Sequence, residues 1–468
     1  MFERESELLN KDFEKILDAV GGKNAGNRLL DAIFERYKTK INKIKKKGFF
    51  KDIKLNTAFE IPVSFYKDFE KIALEKGFLN KDLNENLIPE FIEENKNYVS
   101  ELELFLKENS EIFPGKVVSF FGKEVVFQEA FIRSSSTSED FRRPELAGTS
   151  SSFNVSNVCD VSSYLSAFFD FFKNKFGDNI FEYDESEHLA FQVAEFISPE
   201  NNFFITGTSE IIDGEKLVNI EVCDKKSDLC IRYKVNDNSL RFFYGFSKAD
   251  ENLFYKTIEN KGSFLSKSQV LAIADLLRLK HDVLGYDIDA EYILTENDIL
   301  LNVQLRKLAP VINKDLELEP VKGAKVLETP FVLRKKFSVE GYLLDIGGLN
   351  DCENAIDRLD YNIPDKIKKE SILLIDKNKT GSKFHRSILE SPYAGIIFSD
   401  GVVEISHSGI KGLTYLLKKS NNNIVAMPDI KDKMDFSSIL TVSKKGVLRS
   451  EKKYKLVCDG RSAVLYEC

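Results

Sequence analysis

The sequence predicts a multidomain protein of the α+β or α/β class, and three observations carry that expectation. The chain has 468 residues, more than one hydrophobic core ordinarily serves, so two or three domains are expected. Stretches with apolar residues at helical spacing alternate with stretches of period-two alternation. Hydrophobic residues make up 43% and charged residues 30% of the chain, the balance of a folded, water-facing protein.

Each element follows from its local pattern. Residues 5–20 read as a helix that "VGGKNAG" (20–26) interrupts. In "NRLLDAIFERYKTKINKIKKK", Leu30, Ile33, Phe34, Tyr37, Ile41 and Ile44 recur at helical spacing, and the lysines at 38, 40, 43, 45, 46 and 47 form its wet face. "IPVSFYKDFEKIALEKGF" reads as a short strand leading into a helix, 86–113 as helical and 116–133 as strands. "VSSYLSAFFDFFKNKFG" (161–177) is an amphipathic helix, 188–245 alternates like antiparallel strands, and 266–284 is again helical. After Pro310 the patterning weakens until about 368. "SILLID", "AGIIFS", "NIVAM", "YKLVCDG" and "AVLYEC" are then short strands around one helix, "SGIKGLTYLLKK". The expected division is a first domain over 1–310, a linker over 311–367 and a small α/β domain over 368–468.

Several classes are disfavoured. A net charge of −8 argues against a general binder of nucleic acid or anionic membrane. The charged start "MFERESELLNKDFEKILDAV" is no secretory signal, and no apolar run approaches the ~20 residues of a membrane span. Six cysteines without a C-x-x-C pair suggest reduced thiols in a cytoplasm.

Chemistry concentrates in four segments. "FIRSSSTSED" (131–140) puts Arg133, a run of hydroxyls and two carboxylates after an apolar strand. It is either a solvent-facing turn or a phosphate contact, for which arginine supplies a planar fork of donors. Along 286–308, Asp287, Asp289 and Glu291 alternate with apolar residues, as do Asn302, Gln304 and Arg306 beyond the turn "TEND". If the two strands pair, these residues share one face. That face is either solvated or a site for a hard cation, since like charges at this spacing repel without one. "VGGKNAGNRLL" places Lys23 at a helix start, where backbone N–H groups attract anions, though a helix end followed by a new helix explains it equally. In "SDGVVEISHSGIKGL", His407 falls in the first turn of a helix. A neutral imidazole there is a competent nucleophile, although a lone histidine is also a common structural residue. His188, His281 and His385 read as structural.

Taken together, these segments resemble the phosphoenolpyruvate synthase and pyruvate phosphate dikinase family. "FIRSSSTSEDFRRPELAGTSSSFNV" is similar to that family's "VRSSATAED…AGQ…FLNV", "GGKNA" to its N-terminal glycine-lysine loop, "DAEYIL…LLNVQLR" to "DIEWAI…LYILQARP", and "GVVEISHSGI" to "GGxTSHxAI". The resemblance implies an ATP-grasp-like nucleotide-binding domain over 1–310 and a swivelling phosphohistidine-type domain over 368–468. It implies that Lys23 and Arg133 contact ATP phosphates and that Glu291 and Gln304 hold Mg²⁺. Asp289 and Arg306 act beside them, Gln192 of "AFQVAEFIS" borders the adenine, and His407 carries the phosphoryl group. The departures are specific. Ile405 precedes Ser406-His407 where the family has threonine, "HSGIKGL" stands for "HAAIVAR", and 218–245 has no "GLGE". The family's acceptor-binding barrel has no counterpart in these 468 residues.

The activity so implied is ATP-dependent phosphoryl transfer through His407, with AMP formed and with either a small-molecule acceptor or a separate acceptor-binding subunit. Two alternatives stay open: direct phosphorylation or ligation of a small carboxylate or amide with His407 idle, and a nucleotide-binding regulatory subunit.

Overall fold

The computed structural model describes the chain except residues 1, 79–85, 114–115, 121–122, 128, 138–140, 143–151, 156, 177–187, 199–201, 213–214, 225–228, 237–239, 247–264, 309–314, 322, 330–334, 346–362, 376–391, 399–422, 428–429, 431–433, 435–438, 443–447 and 461. The protein is mixed α/β with several sheets. In chain order, the first part comprises α1 (Phe2–Arg36), α2 (Lys38–Lys47), β1 (Asp52–Leu55), β2 (Ala58–Ile61), α3 (Val63–Glu75), α4 (Leu87–Glu94), α5 (Lys96–Ser110), β3 (Lys116–Phe120), β4 (Lys123–Phe127), β5 (Ala130–Ser136), β6 (Ser152–Val155), α6 (Val161–Phe176) and β7 (Leu189–Glu195). Then come β8 (Phe203–Ile212), β9 (Glu215–Asp224), β10 (Leu229–Val235), β11 (Leu240–Phe246), α7 (Lys267–Leu284), β12 (Ile288–Leu294) and β13 (Ile299–Lys307). No helix among the described residues is long and apolar enough to cross a membrane.

The chain divides into two compact units, the first made of 1–199 and 275–308, the second of 200–274 and 309–468. In the first, β2, β7, β5 and β6 form an antiparallel four-stranded sheet. Alternation along β5 and β7 sends Ile132, Leu189, Phe191 and Val193 to one face. There they meet Tyr66 and Phe69 of α3, Phe91 of α4 and Phe168, Phe169 and Phe172 of α6 in a phenylalanine-rich core. Phe168 stacks on Phe191 at 4.6 Å between ring centres, and Phe69 meets Phe169 edge-on at 4.9 Å. Such pairs add about 0.5–1.5 kcal/mol each beyond their buried area. The abundance of phenylalanine thus has a structural use. The opposite face carries Arg133, Ser135 and Gln192, and α1 packs against β5, β7 and β13. Also in this unit, β12 and β13 pair as an antiparallel hairpin, and β1 joins β13 in parallel.

The expected helix break at "VGGKNAG" is a single residue. Gly21 has φ 73° and ψ 174°, and helix resumes directly, so both segments belong to α1. A Cβ at Gly21 would lie 1.8 Å from the Ser135 carbonyl oxygen, and one at Gly26 would lie 2.2 Å from that of Leu305. Only glycine lets the helix backbone lie this close to β5 and β13.

In the second unit, β8, β9, β10 and β11 run as an antiparallel meander. A separate mixed sheet contains β14 (Ala324–Thr329), β15 (Lys336–Asp345), β16 (Ser371–Ile375), β17 (Gly395–Phe398), β18 (Ile424–Ala426), β19 (Leu440–Val442), β20 (Leu448–Asp459) and β21 (Ala463–Glu467), with the short helix α8 (Asp365–Lys369) before β16. Its order is β14-β21-β20-β15-β16-β17-β18, with β19 on β20.

This corrects the expected linker over 311–367. That stretch supplies β14 and β15, and β15 is an interior strand between β20 and β16. Its signal was an alternation, Phe337, Val339, Gly341, Leu343, broken by the glycine. A Cβ at Gly341 would lie 2.9 Å from the Glu370 carbonyl oxygen, so the inward position takes no side chain. The segment 86–113 also differs from a single helix: it is α4 and α5, separated at Asn95.

Candidate nucleotide site in the first unit

The hairpin pairs as its alternation predicts. Asp289 lies opposite Arg306 and Glu291 opposite Gln304. Arg306 Nε donates to Asp289 Oδ2 at 2.9 Å, and its Nη2 donates to Glu291 Oε1 at 3.0 Å. Asp289, Gln304 and Arg306 are buried, and Glu291 keeps 22% of its side-chain surface. A buried carboxylate beside a buried guanidinium is tolerable only as a pair, because either charge alone carries a large desolvation cost.

A bulge separates Glu291 from Tyr292, so that Tyr292 pairs with Asn302 instead of Val303. The register shift removes Asn302 from the expected polar face, because side-chain direction has period two. Asn302 Oδ1 instead accepts from Lys280 Nζ of α7 at 2.5 Å, and Lys280 also donates to the Tyr292 hydroxyl at 2.9 Å. Complete burial holds the Lys280 amine well below its ordinary range, and burial pushes the Tyr292 phenol up. Asp287 precedes β12 and stands 3.3 Å from His281 Nε2. Of the polar residues expected on the shared face, the contacts bring together Asp289, Glu291, Gln304 and Arg306.

Arg133 reaches this group from β5. Its Nη2 donates to Gln304 Oε1 at 2.7 Å and lies 3.6 Å from Glu291 Oε2. The hydroxyl run after it is not an open cradle. Ser134, Ser135, Ser136 and Thr137 are all buried. Ser135 Oγ donates to the Val20 carbonyl at 3.1 Å and accepts from the Asn24 N–H at 3.3 Å, which ends one segment of α1 and starts the next. Thr137 Oγ1 accepts from the His188 N–H at 3.2 Å. Ser138, Glu139 and Asp140 lie outside the described residues. The arginine faces the hairpin; the hydroxyls of Ser135 and Thr137 hold backbone.

Lys23 is buried in the first turn after Gly21, next to Asn24, whose N–H meets Ser135. Gln192 lies directly across from Arg133 on β7. It is buried, and neither its Oε1 nor its Nε2 has a hydrogen-bond partner among the described residues. A buried amide without partners costs free energy, and a ligand's polar edge or a water would relieve it. Its other sheet neighbour, Glu60 on β2, is held by Arg28 of α1 at 3.0 Å.

Sequence reading missed three residues here. In sequence Ser135 is one of a run of hydroxyls, and Asn24 is one residue of a glycine-containing loop. Lys280 sits at an apolar helical position in "VLAIADLLRLKHDVL", and that interruption was its available signal. His407 and His385 lie outside the described residues. The segment with His407 connects β17 to β18, which are parallel neighbours.

Chemically, one small region combines two guanidinium groups, two carboxylates and an amide oxygen, with a buried lysine on the helix packed against it. Among the described residues no three His, Cys, Asp or Glu side chains gather as a self-sufficient metal site. A carboxylate and an amide oxygen do suit Mg²⁺, which ordinarily takes one or two protein oxygens and completes its shell with phosphates and water. No family model matches this chain, and no curated protein matches it.

Proposed function

We propose that this chain is an ATP-dependent phosphotransferase of the dikinase type, binding Mg-ATP at the hairpin site and passing a phosphoryl group through His407 to an acceptor. The observation that carries the reading is the convergence of Arg133 with Asp289, Glu291, Gln304 and Arg306 in one bonded group, although Arg133 is 171 residues from Gln304 in the chain. A solvated turn and a solvated hairpin face would have no reason to meet and be buried together. The unpartnered amide of Gln192, opposite Arg133, supports a ligand on the same sheet face.

In this reading Arg133, Arg306 and Lys23 neutralise and align the phosphates, which is most of what phosphoryl transfer asks of a protein. Glu291 and Gln304 would hold Mg²⁺, which supplies charge neutralisation between phosphate oxygens. Gln192 meets the polar edge of the base, and Asp289 keeps Arg306 in place. His407 falls in a connection that follows a parallel strand, β17.

The acceptor is a small molecule or a partner subunit. The test is the fate of ATP with the full chain and Mg²⁺. Formation of AMP with the remaining phosphate of ATP released as phosphate or pyrophosphate, an acid-labile phosphate mapped to His407, and loss of both in Glu291→Ala with the fold intact are expected. ADP as sole product with activity surviving His407→Ala replaces this mechanism with direct phosphorylation. Unchanged turnover in Glu291→Ala removes the site.

A further inference from the structure

The oxygens that would receive a cation are already held by guanidinium groups, and the two groups are held differently. Arg306 is buried and bonded to two carboxylates, Asp289 and Glu291. Arg133 is 18% exposed, and its partners are one neutral amide oxygen at 2.7 Å and one carboxylate oxygen at the longer distance of 3.6 Å. Arg306 is therefore anchored and Arg133 is the one that can leave.

A guanidinium and a divalent cation compete for Gln304 Oε1. Direct coordination places the cation about 2.1 Å from an oxygen. The Arg133 nitrogen at 2.7 Å from that oxygen would then crowd and repel it. A polyphosphate changes the balance, because a charged, bidentate acceptor outcompetes a neutral amide for arginine.

We propose that Arg133 is a latch, closing the Glu291–Gln304 pair to divalent cations until a polyphosphate draws the guanidinium away, so that metal enters only with nucleotide. The proposal rests on the reading of this site as a nucleotide site and adds an order to its assembly. Arg133 thereby has two partners in succession, the cation's own ligands and then the phosphates, and the empty site does not collect metal.

Mn²⁺ is a suitable probe, since it takes the same hard oxygen ligands and its magnetic-resonance signal falls on binding. The full-length wild-type chain should bind no Mn²⁺ at millimolar concentration without nucleotide and should bind it when a non-hydrolysable ATP analogue is added. Arg133→Gln should bind Mn²⁺ alone at least about tenfold more tightly than wild type, because the repelling charge is gone. Arg133→Lys keeps the charge without the fork and should lie between the two; it serves if the glutamine variant does not fold. Equal Mn²⁺ binding by wild type and both variants overturns the latch, even if the analogue binds. Failure of the analogue to bind wild type at all overturns the nucleotide reading and the latch with it, whereas analogue binding without Mn²⁺ uptake by the protein overturns the latch alone.

Discussion

At the scale of the residue, Lys280 shows how much the site depends on groups that face away from it. The amine is bonded to Asn302 and Tyr292 just where the hairpin register shifts. It therefore holds the bulge that leaves Glu291 opposite Gln304. Its folded-state pKa is lowered by burial from the ordinary 10.5, so below that value the unfolded chain binds the proton more strongly. The sign follows: stability rises with pH through the window that runs downward from 10.5, and the contribution is lost as pH falls through the lowered value. The expected outcome is a wild-type chain that gains on Lys280→Met between neutral pH and pH 10, at up to about 1.4 kcal/mol per pH unit. Tyr292 stays a neutral phenol across that range, since burial raises it. Parallel denaturant titrations of the two proteins check this; a difference independent of pH would mean that the buried amine keeps its proton as the unfolded chain does, and that its pKa is not lowered.

At the scale of the element, α1 is shaped by what lies beneath it. Gly21 combines a positive φ with a carbonyl where a Cβ would stand, whereas Gly77 has a φ of 71° and open space. Gly77→Ala should cost about 1 kcal/mol, the backbone penalty alone. Gly21→Ala adds the clash and should cost about 2–4 kcal/mol, read from unfolding midpoints; if the proposed nucleotide site is right, it should also weaken ATP binding, because Lys23 moves with the helix. Equal costs at the two positions would show that α1 does not need its close approach to β5. The hairpin, α6 and α7 were legible because their periodicity runs over many residues, and in α7 it survives the one interruption at Lys280. The bulge was not, since one extra residue leaves the alternating letters unchanged while turning Asn302 to the other side. Nor were the roles of Ser135 and Thr137, because hydroxyls that cap backbone and hydroxyls that meet phosphate look alike in sequence.

At the scale of the whole molecule, the division into units departs from the linear order of the sequence. All eight strands of the terminal sheet lie between Ala324 and Glu467. A fragment beginning at residue 309 should therefore fold cooperatively, whereas one beginning at 368 should not. The shorter piece lacks β15, so β16 and β20 lose their common neighbour and expose unpaired strand edges. Circular dichroism and thermal melting of the two fragments distinguish these outcomes, and a cooperative melt in the shorter one would restore 311–367 as a tether. The convergence of Arg133 with the hairpin was anticipated only through a family resemblance. Periodicity reports faces, and it does not report which distant faces meet.

The parallel pairing of β1 with β13 has a consequence in time. Asp52 is matched with Ile299 and Leu55 with Asn302, and the first unit resumes only at residue 275 after leaving off at 199. On a ribosome, the early strands emerge well before their partner. At typical elongation rates of about 5–20 residues per second, the wait from residue 199 to residue 308 lasts roughly 5–20 s. During that interval β1 has no β13 to pair with, and α1 has no hairpin under Gly26. The nascent chain is most open to misassembly then, and the hairpin with its buried ion pairs is necessarily the last part of its unit to be completed.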